Sequence, residues 1–304
     1  MISADLSNVT LNSEYICMDH NNFTGGLPLI SANVLHLDLS YNFLSGPISH
    51  LLCSQVGSQM KTLHRLDVSH NLLAGTIPDC WENWRGLASL SINSNNFDGE
   101  LPPSMGLLNE LDLSTNNLSG DIPPELFDLS QLNGLNLSRN HFVGKISSNI
   151  GSMINLEALD LSNNHFSGEI PEAICNLNSL GVLNLSYNDF TGRIPSCGYF
   201  ETFDSGSYVE NPKLCGPPLL TNCSEEVKHD EAQQGGSNDS LNESLYIGMG
   251  VGYVAGFGGV WYSLLLNRAW RHKYFRYLDK ILDCLYVFAA LKLNKLRELR
   301  ASSW

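Results

Sequence analysis

One pattern, L-x-L-x-x-N, recurs along this chain at a nearly fixed period and constrains the fold more than any other feature. Leu37–Ser49 reads LDLSYNFLSGPIS, and Leu159–Pro171 reads LDLSNNHFSGEIP. The spacings between successive copies are 21, 29, 24, 21, 24, 24 and 24 residues. A period of this length indicates a solenoid, in which each short unit stacks on the one before it. The asparagines that anchor the copies are Asn21, Asn42, Asn71, Asn95, Asn116, Asn140, Asn164 and Asn188.

Within each copy, apolar and polar residues alternate over a few positions, as Leu37 and Leu39 do around Asp38. This alternation predicts a short strand with one buried face. A single strand cannot bury that face alone, so we expect successive strands to form a parallel sheet over a leucine core. The anchor asparagine then turns the chain away from the sheet, where its buried amide can bond to backbone groups. The Gly and Pro that follow supply a permissive turn and a fixed φ angle.

The uneven spacings fit the same solenoid. A 21-residue unit lacks about one tight turn of the outer face, whereas the 29-residue unit carries an extra loop around Cys53. Because Cys53 and Cys80 bracket that long unit, we predict a disulfide between them in an oxidising compartment. The chain has no CxxC pair, which argues against zinc.

Charge and motif content favour binding over catalysis. The formal net charge is −14, and it divides into −20 over residues 1–267 and +6 over residues 268–304. An acidic body argues against a nucleic-acid surface, which requires a basic face. The sequence contains no nucleophile elbow, phosphate loop or catalytic dyad, and its histidines lack ligand-like spacing. We therefore expect a protein without enzymatic activity, cofactor or metal.

The composition changes after the repeats and predicts a membrane anchor. Residues 224–244 are acidic and lack apolar periodicity, which is typical of a solvated linker. Leu245–Leu266 then gives 22 residues without a formal charge, long enough for one transmembrane helix. The basic residues that follow place the tail in the cytoplasm and the repeats outside, as in a single-pass type I protein of the plasma membrane. The expected divisions are repeats 1–195, a C-terminal cap 196–223, a linker 224–244, a membrane helix 245–267 and a tail 268–304.

Eight N-x-S/T sequons precede residue 245 and agree with an extracellular location for this part of the chain. Their asparagines are Asn8, Asn22, Asn117, Asn136, Asn184, Asn222, Asn238 and Asn242.

Three glycines in the expected span, Gly248, Gly252 and Gly256, repeat every four residues. In lipid such a stripe lets a second helix approach closely, so we interpret it as a packing surface for a partner helix. The 37 residues after the span are too few for a kinase domain. Signalling therefore requires a separate kinase.

Three longer motifs carry a resemblance to a known family. They are IPDCWENW (Ile77–Trp84), NPKLCGPPLLTNC (Asn211–Cys223) and LLLNRAWRHKYFRYLDKILDCLYVFAA (Leu264–Ala290). With the 24-residue unit ending L-x-G-x-I-P, they resemble plant receptor-like proteins, most closely the ethylene-inducing xylanase receptor group. The resemblance implies a leucine-rich-repeat solenoid with a parallel sheet on its concave face and an irregular or 3-10 convex face. It also implies a plant-defence receptor whose repeats bind a microbial protein, such as a fungal xylanase, or a partner receptor. Such a receptor signals through an associated receptor kinase, a co-receptor that it contacts through its membrane helix and last repeats.

The chain also departs from that family. Members have a signal peptide, an N-terminal cap and many more repeats with an irregular island among them, and none of these is recognisable here. We therefore expect a chain that is truncated at its N-terminus and shortened. Two alternatives to a working receptor follow: a ligand-blind regulator or non-functional relative, and a secreted inhibitor of a microbial polysaccharide-degrading enzyme.

The residues just before the anchor asparagines are the candidate partner contacts, because aromatic and arginine side chains dominate binding hot spots. They are His20, Tyr41, His70, Arg139 and Tyr187. A second disulfide, Cys215–Cys223, is expected to close a small loop over the last repeat. The pairing of Cys17, Cys175 and Cys197 stays open, with an unpaired thiol as one of the possibilities for Cys197.

Overall fold

The computed structural model describes residues 4–53, 62–105, 108–197 and 200–223. The expected linker, membrane helix, glycine stripe and tail, together with Asn238 and Asn242, lie outside these residues. Within the described ranges, no helix is both long enough and apolar enough to cross a membrane. Met1–Cys223 form one compact unit.

Short strands, most of them three to five residues long, form the regular structure. In chain order they are β1 (Thr10–Leu11), β2 (Tyr15–Cys17), β3 (Thr24–Gly25), β4 (Leu29–Ile30), β5 (His36–Asp38), β6 (Phe43–Gly46), β7 (Arg65–Asp67), β8 (Leu72–Thr76), β9 (Ser89–Ser91), β10 (Asn96–Gly99), β11 (Glu110–Asp112), β12 (Asn117–Gly120), β13 (Gly134–Asn136), β14 (His141–Phe142), β15 (Ala158–Asp160), β16 (Ser167–Glu169), β17 (Val182–Asn184), β18 (Asp189–Arg193) and β19 (Lys213–Cys215).

Short helical turns connect these strands on the other side of most repeats. One α-helical turn, α1, spans Ser49–Leu52. The 3-10 turns span Trp81–Trp84, Pro124–Asp128, Ser148–Ser152, Glu172–Asn176, Phe200–Thr202 and Ser205–Ser207.

The strands pair in parallel, each with its counterpart in the next repeat. The principal sheet has eight strands in the order β17-β15-β13-β11-β9-β7-β5-β2. A second parallel sheet, β14-β12-β10-β8-β6-β3, runs along the adjoining flank and is followed by β16-β18-β19. The fold is thus the leucine-rich-repeat solenoid with the parallel sheet that the sequence predicts.

The consensus leucines form one continuous core beneath the principal sheet. Leu37 and Leu39, which flank Asp38 in the second repeat, are 1% and 0% exposed. Phenylalanines continue the core toward the flank, where Phe166 stacks between Phe142 and Phe190 at centroid distances of 6.1 and 6.2 Å. Burying each such side chain stabilises the fold by about 1.5–3 kcal/mol relative to leaving it exposed.

The anchor asparagines hold neighbouring repeats together through their buried amides. The Oδ1 atom of Asn164 accepts from the backbone N–H of Phe142 at 3.0 Å. Its Nδ2 atom donates to the carbonyl of Leu137 in the preceding repeat at 3.0 Å, and to the carbonyls of Leu161 and Ser162 in its own repeat. The same bonds recur from Asn42 onward, so each asparagine satisfies backbone groups that no strand ladder reaches.

The length of each unit matches its connecting segment. The 24-residue units that begin at Asn116, Asn140 and Asn164 each contain a five-residue 3-10 turn. The 21-residue unit that begins at Asn95 has no 3-10 turn within the residues described for it. The missing three residues therefore correspond to the tight turn, and the strand is retained.

Three disulfides cross-link the solenoid. Cys53–Cys80 and Cys215–Cys223, both expected from the sequence, have Cα–Cα distances of 5.8 and 5.0 Å. The third disulfide joins Cys175 to Cys197, whose pairing the sequence left open, with a Cα–Cα distance of 5.8 Å, so Cys197 is not an unpaired thiol. Their separation of 22 residues is close to one repeat, and stacking therefore places them side by side.

The asparagine ladder continues into the expected cap. Asn211 accepts from the N–H of Phe190 at 3.0 Å and donates to the carbonyl of Leu185 at 3.0 Å, as the anchors before it do. NPKLC therefore provides a ninth anchor asparagine, and β19 pairs with β18. This asparagine was not recognised as an anchor in the sequence, because the leucines that normally precede the anchor are replaced by Gly206 and Tyr208.

Candidate functional site

The solvent-facing surface of the principal sheet, called here the sheet face, consists of two columns of side chains. In each strand the central residue is buried, and the residues on either side of it lie on the opposite face of the sheet from the core. Asp67 of β7 is the exception in exposure, because it is itself buried. Strand pairing aligns these residues in register across all eight repeats. The first column is Tyr15, His36, Arg65, Ser89, Glu110, Gly134, Ala158 and Val182, and the second is Cys17, Asp38, Asp67, Ser91, Asp112, Asn136, Asp160 and Asn184.

The predicted contact residues lie at one end of the sheet face, in a left-handed turn rather than within a strand. The residue before every anchor asparagine has a φ angle of +53° to +57°. A non-glycine residue rarely adopts this conformation, and the turn fixes it in every repeat. The residues in this turn column are His20, Tyr41, His70, Ser94, Thr115, Arg139, Asn163, Tyr187 and Glu210.

Three of the five predicted contacts come together in a stack of rings. The ring of Tyr41 lies between those of His20 and His70, with centroid distances of 4.3 and 4.0 Å and interplanar angles of 16° and 11°. Tyr41 is 44% exposed and the His20 side chain is 65% exposed. Asp19 lies beside the stack, with its Oδ2 atom 2.9 Å from Nδ1 of His20. The stack leaves the ring edge of Tyr41, which carries the phenol hydroxyl, open to a partner.

The other two predicted contacts lie apart from the stack and from each other. Ser94 and Thr115 occupy the turn column between the stack and Arg139, and Asn163 separates Arg139 from Tyr187. Both predicted residues are exposed, Tyr187 at 52%. The structure therefore divides the predicted set into one cluster and two isolated side chains.

Sequence reasoning missed two aromatic side chains in the first column. Tyr15 and His36 pair edge to face at a centroid distance of 4.8 Å and an interplanar angle of 69°. Arg65 follows in register. The signal was present, because these residues alternate with the buried Ile16 and Leu37 and must face outward. Together with the stack they form an aromatic and imidazole surface on the first three repeats.

The Asp and Asn residues of the second column have a structural role, because their side chains accept hydrogen bonds from a nearby serine. Oδ1 of Asp112 accepts from the N–H and Oγ of Ser114 at 3.0 and 2.7 Å. Asn136 makes the same two bonds to Ser138, at 3.1 and 2.8 Å. These bonds satisfy the buried serine of L-D-L-S, so the recurrence of Asp reflects the turn rather than catalysis. Among the described residues, no three His, Cys, Asp or Glu side chains converge as a metal site.

The family model for the leucine-rich repeat matches residues 33–55, 62–84, 107–129, 131–153, 155–177 and 179–198. Receptor-like protein EIX2 of Solanum lycopersicum is 35% identical over 85 residues, which are 27% of this chain and 8% of that protein. Receptor-like protein EIX1 of the same species is 34% identical over 115 residues, 33% of this chain and 11% of that protein. The matched region thus spans about a tenth of the length of these relatives.

Solved structures agree with the fold. The ectodomain of the Arabidopsis receptor kinase HAESA, in complex with an extended IDA peptide hormone, superposes with a TM-score of 0.55 and 35% identity, covering 70% of this chain and 39% of that one. A plant ice-binding protein superposes with a TM-score of 0.54 and 25% identity, covering 70% and 76%. The repeats, their asparagine ladder and these matches identify the chain as a leucine-rich-repeat protein related to the plant receptor-like proteins.

Proposed function

We propose that the repeats form the extracellular, partner-binding part of a plant cell-surface receptor-like protein that signals through an associated receptor kinase. The related EIX1 and EIX2 proteins are receptor-like proteins. HAESA, which has the same fold, is a receptor kinase that has been solved with the peptide IDA and the co-receptor SERK1, at a TM-score of 0.51 and 33% identity over 66% of this chain and 42% of that one. These relatives support a binding role for this chain in preference to catalysis.

The observation that carries the proposal is the exposed aromatic and imidazole surface on the first three repeats. Tyr15, His36 and the stack around Tyr41 place large, rigid side chains on the sheet face, where a packing role in the core is excluded. Tyrosine and other aromatic side chains dominate binding energy at interfaces because they bury much area at little entropic cost.

The sheet face has a modest area because each of its strands has three residues. Eight strands at a spacing of about 4.8 Å and with a length of about 10 Å give roughly 340 Å². A standard interface buries about 800 Å² on each partner. The sheet face therefore suits a peptide, or forms part of a larger contact with a microbial protein, the ligand class implied by the family resemblance.

Signalling in this proposal depends on the uncharged span at 245–266, which would anchor the protein with its repeats outside the cell. Gly248, Gly252 and Gly256 would then pack against the membrane helix of a kinase. The acidic stretch before the span and the basic tail after it support this orientation.

Two measurements on the full chain, expressed behind a supplied signal peptide, test the proposal. Protease added outside intact cells should digest the repeats and spare residues 268–304. Digestion of the tail from outside would contradict the orientation.

Replacing Gly248, Gly252 and Gly256 by Leu should reduce co-precipitation of SERK1 by about five- to thirtyfold, which corresponds to 1–2 kcal/mol of helix packing. Leu at Gly250 and Gly258, which lie off the stripe, is the matched control and should leave recovery unchanged. Equal recovery from all three proteins would remove the glycine stripe from the mechanism.

The two alternatives predict different outcomes. A ligand-blind regulator would co-precipitate the kinase but would not respond to any microbial protein applied to the cells. An inhibitor would be released into the medium and would slow a fungal xylanase in a direct assay.

A further inference from the structure

We propose that Asn136 and Asn184 carry N-linked glycans on the sheet face, so that sugar covers the sheet face of the last three repeats and leaves that of the first three open to a ligand. The inference rests on the proposed extracellular location of the repeats. It concerns where on the fold the modified asparagines lie, which the sequons alone do not give.

The described sequons occupy different surfaces. Asn22 and Asn117 each follow an anchor asparagine directly and lie on the flank, Asn117 within β12. Asn136 and Asn184 are the last residues of β13 and β17 and therefore lie in the second column of the sheet face. Strand pairing aligns both of them with Asp160, which stands between them. The two sites are thus separated by about 9.6 Å, twice the strand spacing.

The hydrogen bonds of these two asparagines leave the reactive nitrogen available. Oδ1 of Asn184 accepts from the N–H and Oγ of Ser186 at 3.2 and 2.7 Å, and Oδ1 of Asn136 is bonded to Ser138 in the same way. The anchor asparagines differ, because their Nδ2 atoms donate to buried carbonyls. A glycan on Nδ2 of Asn136 or Asn184 therefore preserves the hydrogen bonds that the side chain makes to the described residues.

The surface beside the two sites has room for sugar. In these repeats the first column contains only the small side chains of Gly134, Ala158 and Val182. A Cβ atom added at Gly134 would meet no heavy atom within 4 Å. In the first three repeats, the same column carries Tyr15 and His36. A bulky, hydrophilic oligosaccharide therefore fits over the last repeats without displacing any large side chain.

The modification requires a lipid-linked oligosaccharide diphosphate as donor, as the lumen of the secretory pathway supplies. A bond forms between Nδ2 of the asparagine and the anomeric carbon of the first sugar. The bond between that carbon and the diphosphate oxygen breaks, the lipid diphosphate leaves, and the amide nitrogen loses one proton.

The test uses the full chain, expressed in plant cells behind a supplied signal peptide. Peptide N-glycosidase in heavy-oxygen water converts each occupied asparagine to labelled aspartate, which mass spectrometry then locates. We expect label at Asn136 and Asn184. Label at Asn117 with none at these two sites would overturn the inference while leaving the proposed location intact. An absence of label at every sequon would overturn both.

Shielding is measured by hydroxyl-radical footprinting of two matched tyrosines. Tyr41 and Tyr187 occupy the same turn position, with φ angles of 55° and 56°, and are 44% and 52% exposed. Deglycosylation should raise the oxidation of Tyr187 roughly twofold or more, because the Asn184 glycan is bulky and near it, and should leave Tyr41 unchanged. Equal changes at both tyrosines, or no change at Tyr187, would overturn the shielding.

The variant Asn184→Asp tests the shielding of Tyr187 independently, without enzyme treatment. Aspartate is native to this column at Asp112, where it accepts the same two bonds from its serine, so the variant keeps the fold and loses the glycan. Its Tyr187 should be oxidised as in the deglycosylated protein. Asn117→Asp, which removes a flank glycan, is the control and should leave Tyr187 protected.

Discussion

The first three and the last three repeats share one backbone frame and differ in what they show to solvent. Asn71 in the third repeat and Asn164 in the seventh bond to their neighbours in the same way. On the solvent-facing side, the first three repeats carry Tyr15, His36 and a stack of three rings. The last three repeats carry small side chains and two sequons there. Consensus positions thus determine the solenoid, and the variable positions between them determine what it can bind.

The largest expected losses of stability come from replacing an anchor asparagine in either half of the solenoid. Replacing Asn71 or Asn164 by Ala leaves a backbone N–H and several carbonyls buried without a partner, at about 1–3 kcal/mol for each group. Each variant should therefore lose at least about 3 kcal/mol in denaturant unfolding of secreted residues 1–223. The exposed Asn178→Ala is the control and should change stability by less than about 0.5 kcal/mol. A large cost in only one half would show that the frame is not shared.

The disulfides also connect neighbouring repeats in both halves. Cys53–Cys80 and Cys175–Cys197 span 27 and 22 residues. Replacing either pair by serine should cost about 2–4 kcal/mol, with little difference between the two. In the single variant Cys197→Ser, Cys175 should become alkylated by iodoacetamide. Full alkylation of both cysteines in the unmodified protein would contradict the Cys175–Cys197 bond.

The stack should contribute little to stability, although it distinguishes the two halves most clearly. Asparagine tolerates the left-handed turn, as Asn163 shows at the same position of the seventh repeat. The triple variant His20→Asn, Tyr41→Asn and His70→Asn should therefore change unfolding free energy by only about 1 kcal/mol, the scale of an aromatic pair. A cost comparable to that of an anchor asparagine would make the stack part of the frame.

The smallest expected effect on stability comes from Tyr208, which follows the last of the eight repeats. Tyr208 is fully buried, its hydroxyl has no hydrogen-bond partner among the described residues, and burial raises the pKa of this phenol. The unfolded chain then ionises first, so stability is retained below the ordinary tyrosine pKa of about 10 and is lost as pH rises above it. Tyr208→Phe should be as stable as the parent at neutral pH and should resist alkaline unfolding better. An unchanged alkaline transition would contradict this account.

The period of the repeat predicted the strands, the core leucines and the buried asparagines because each of these depends only on position within one unit. Contacts between units were harder to predict. Cys175 and Cys197 become neighbours only after stacking, and the rings of His20, Tyr41 and His70 meet because a left-handed turn points them along one column. Asn211 was missed for the opposite reason, since its role survives in a unit that has lost the consensus leucines.

The central claim, that the ligand binds the first three repeats, is tested most directly by comparing variants of the two halves. The probe is an immobilised fungal xylanase, the ligand that the family resemblance implies, with the glycosylated chain applied in detergent. The triple variant at His20, Tyr41 and His70 should bind roughly tenfold or more weakly, as expected for removal of a hot spot, and asparagine at Arg139 and Tyr187 should leave binding unchanged. Loss of binding from the Arg139 and Tyr187 variant alone would contradict the account.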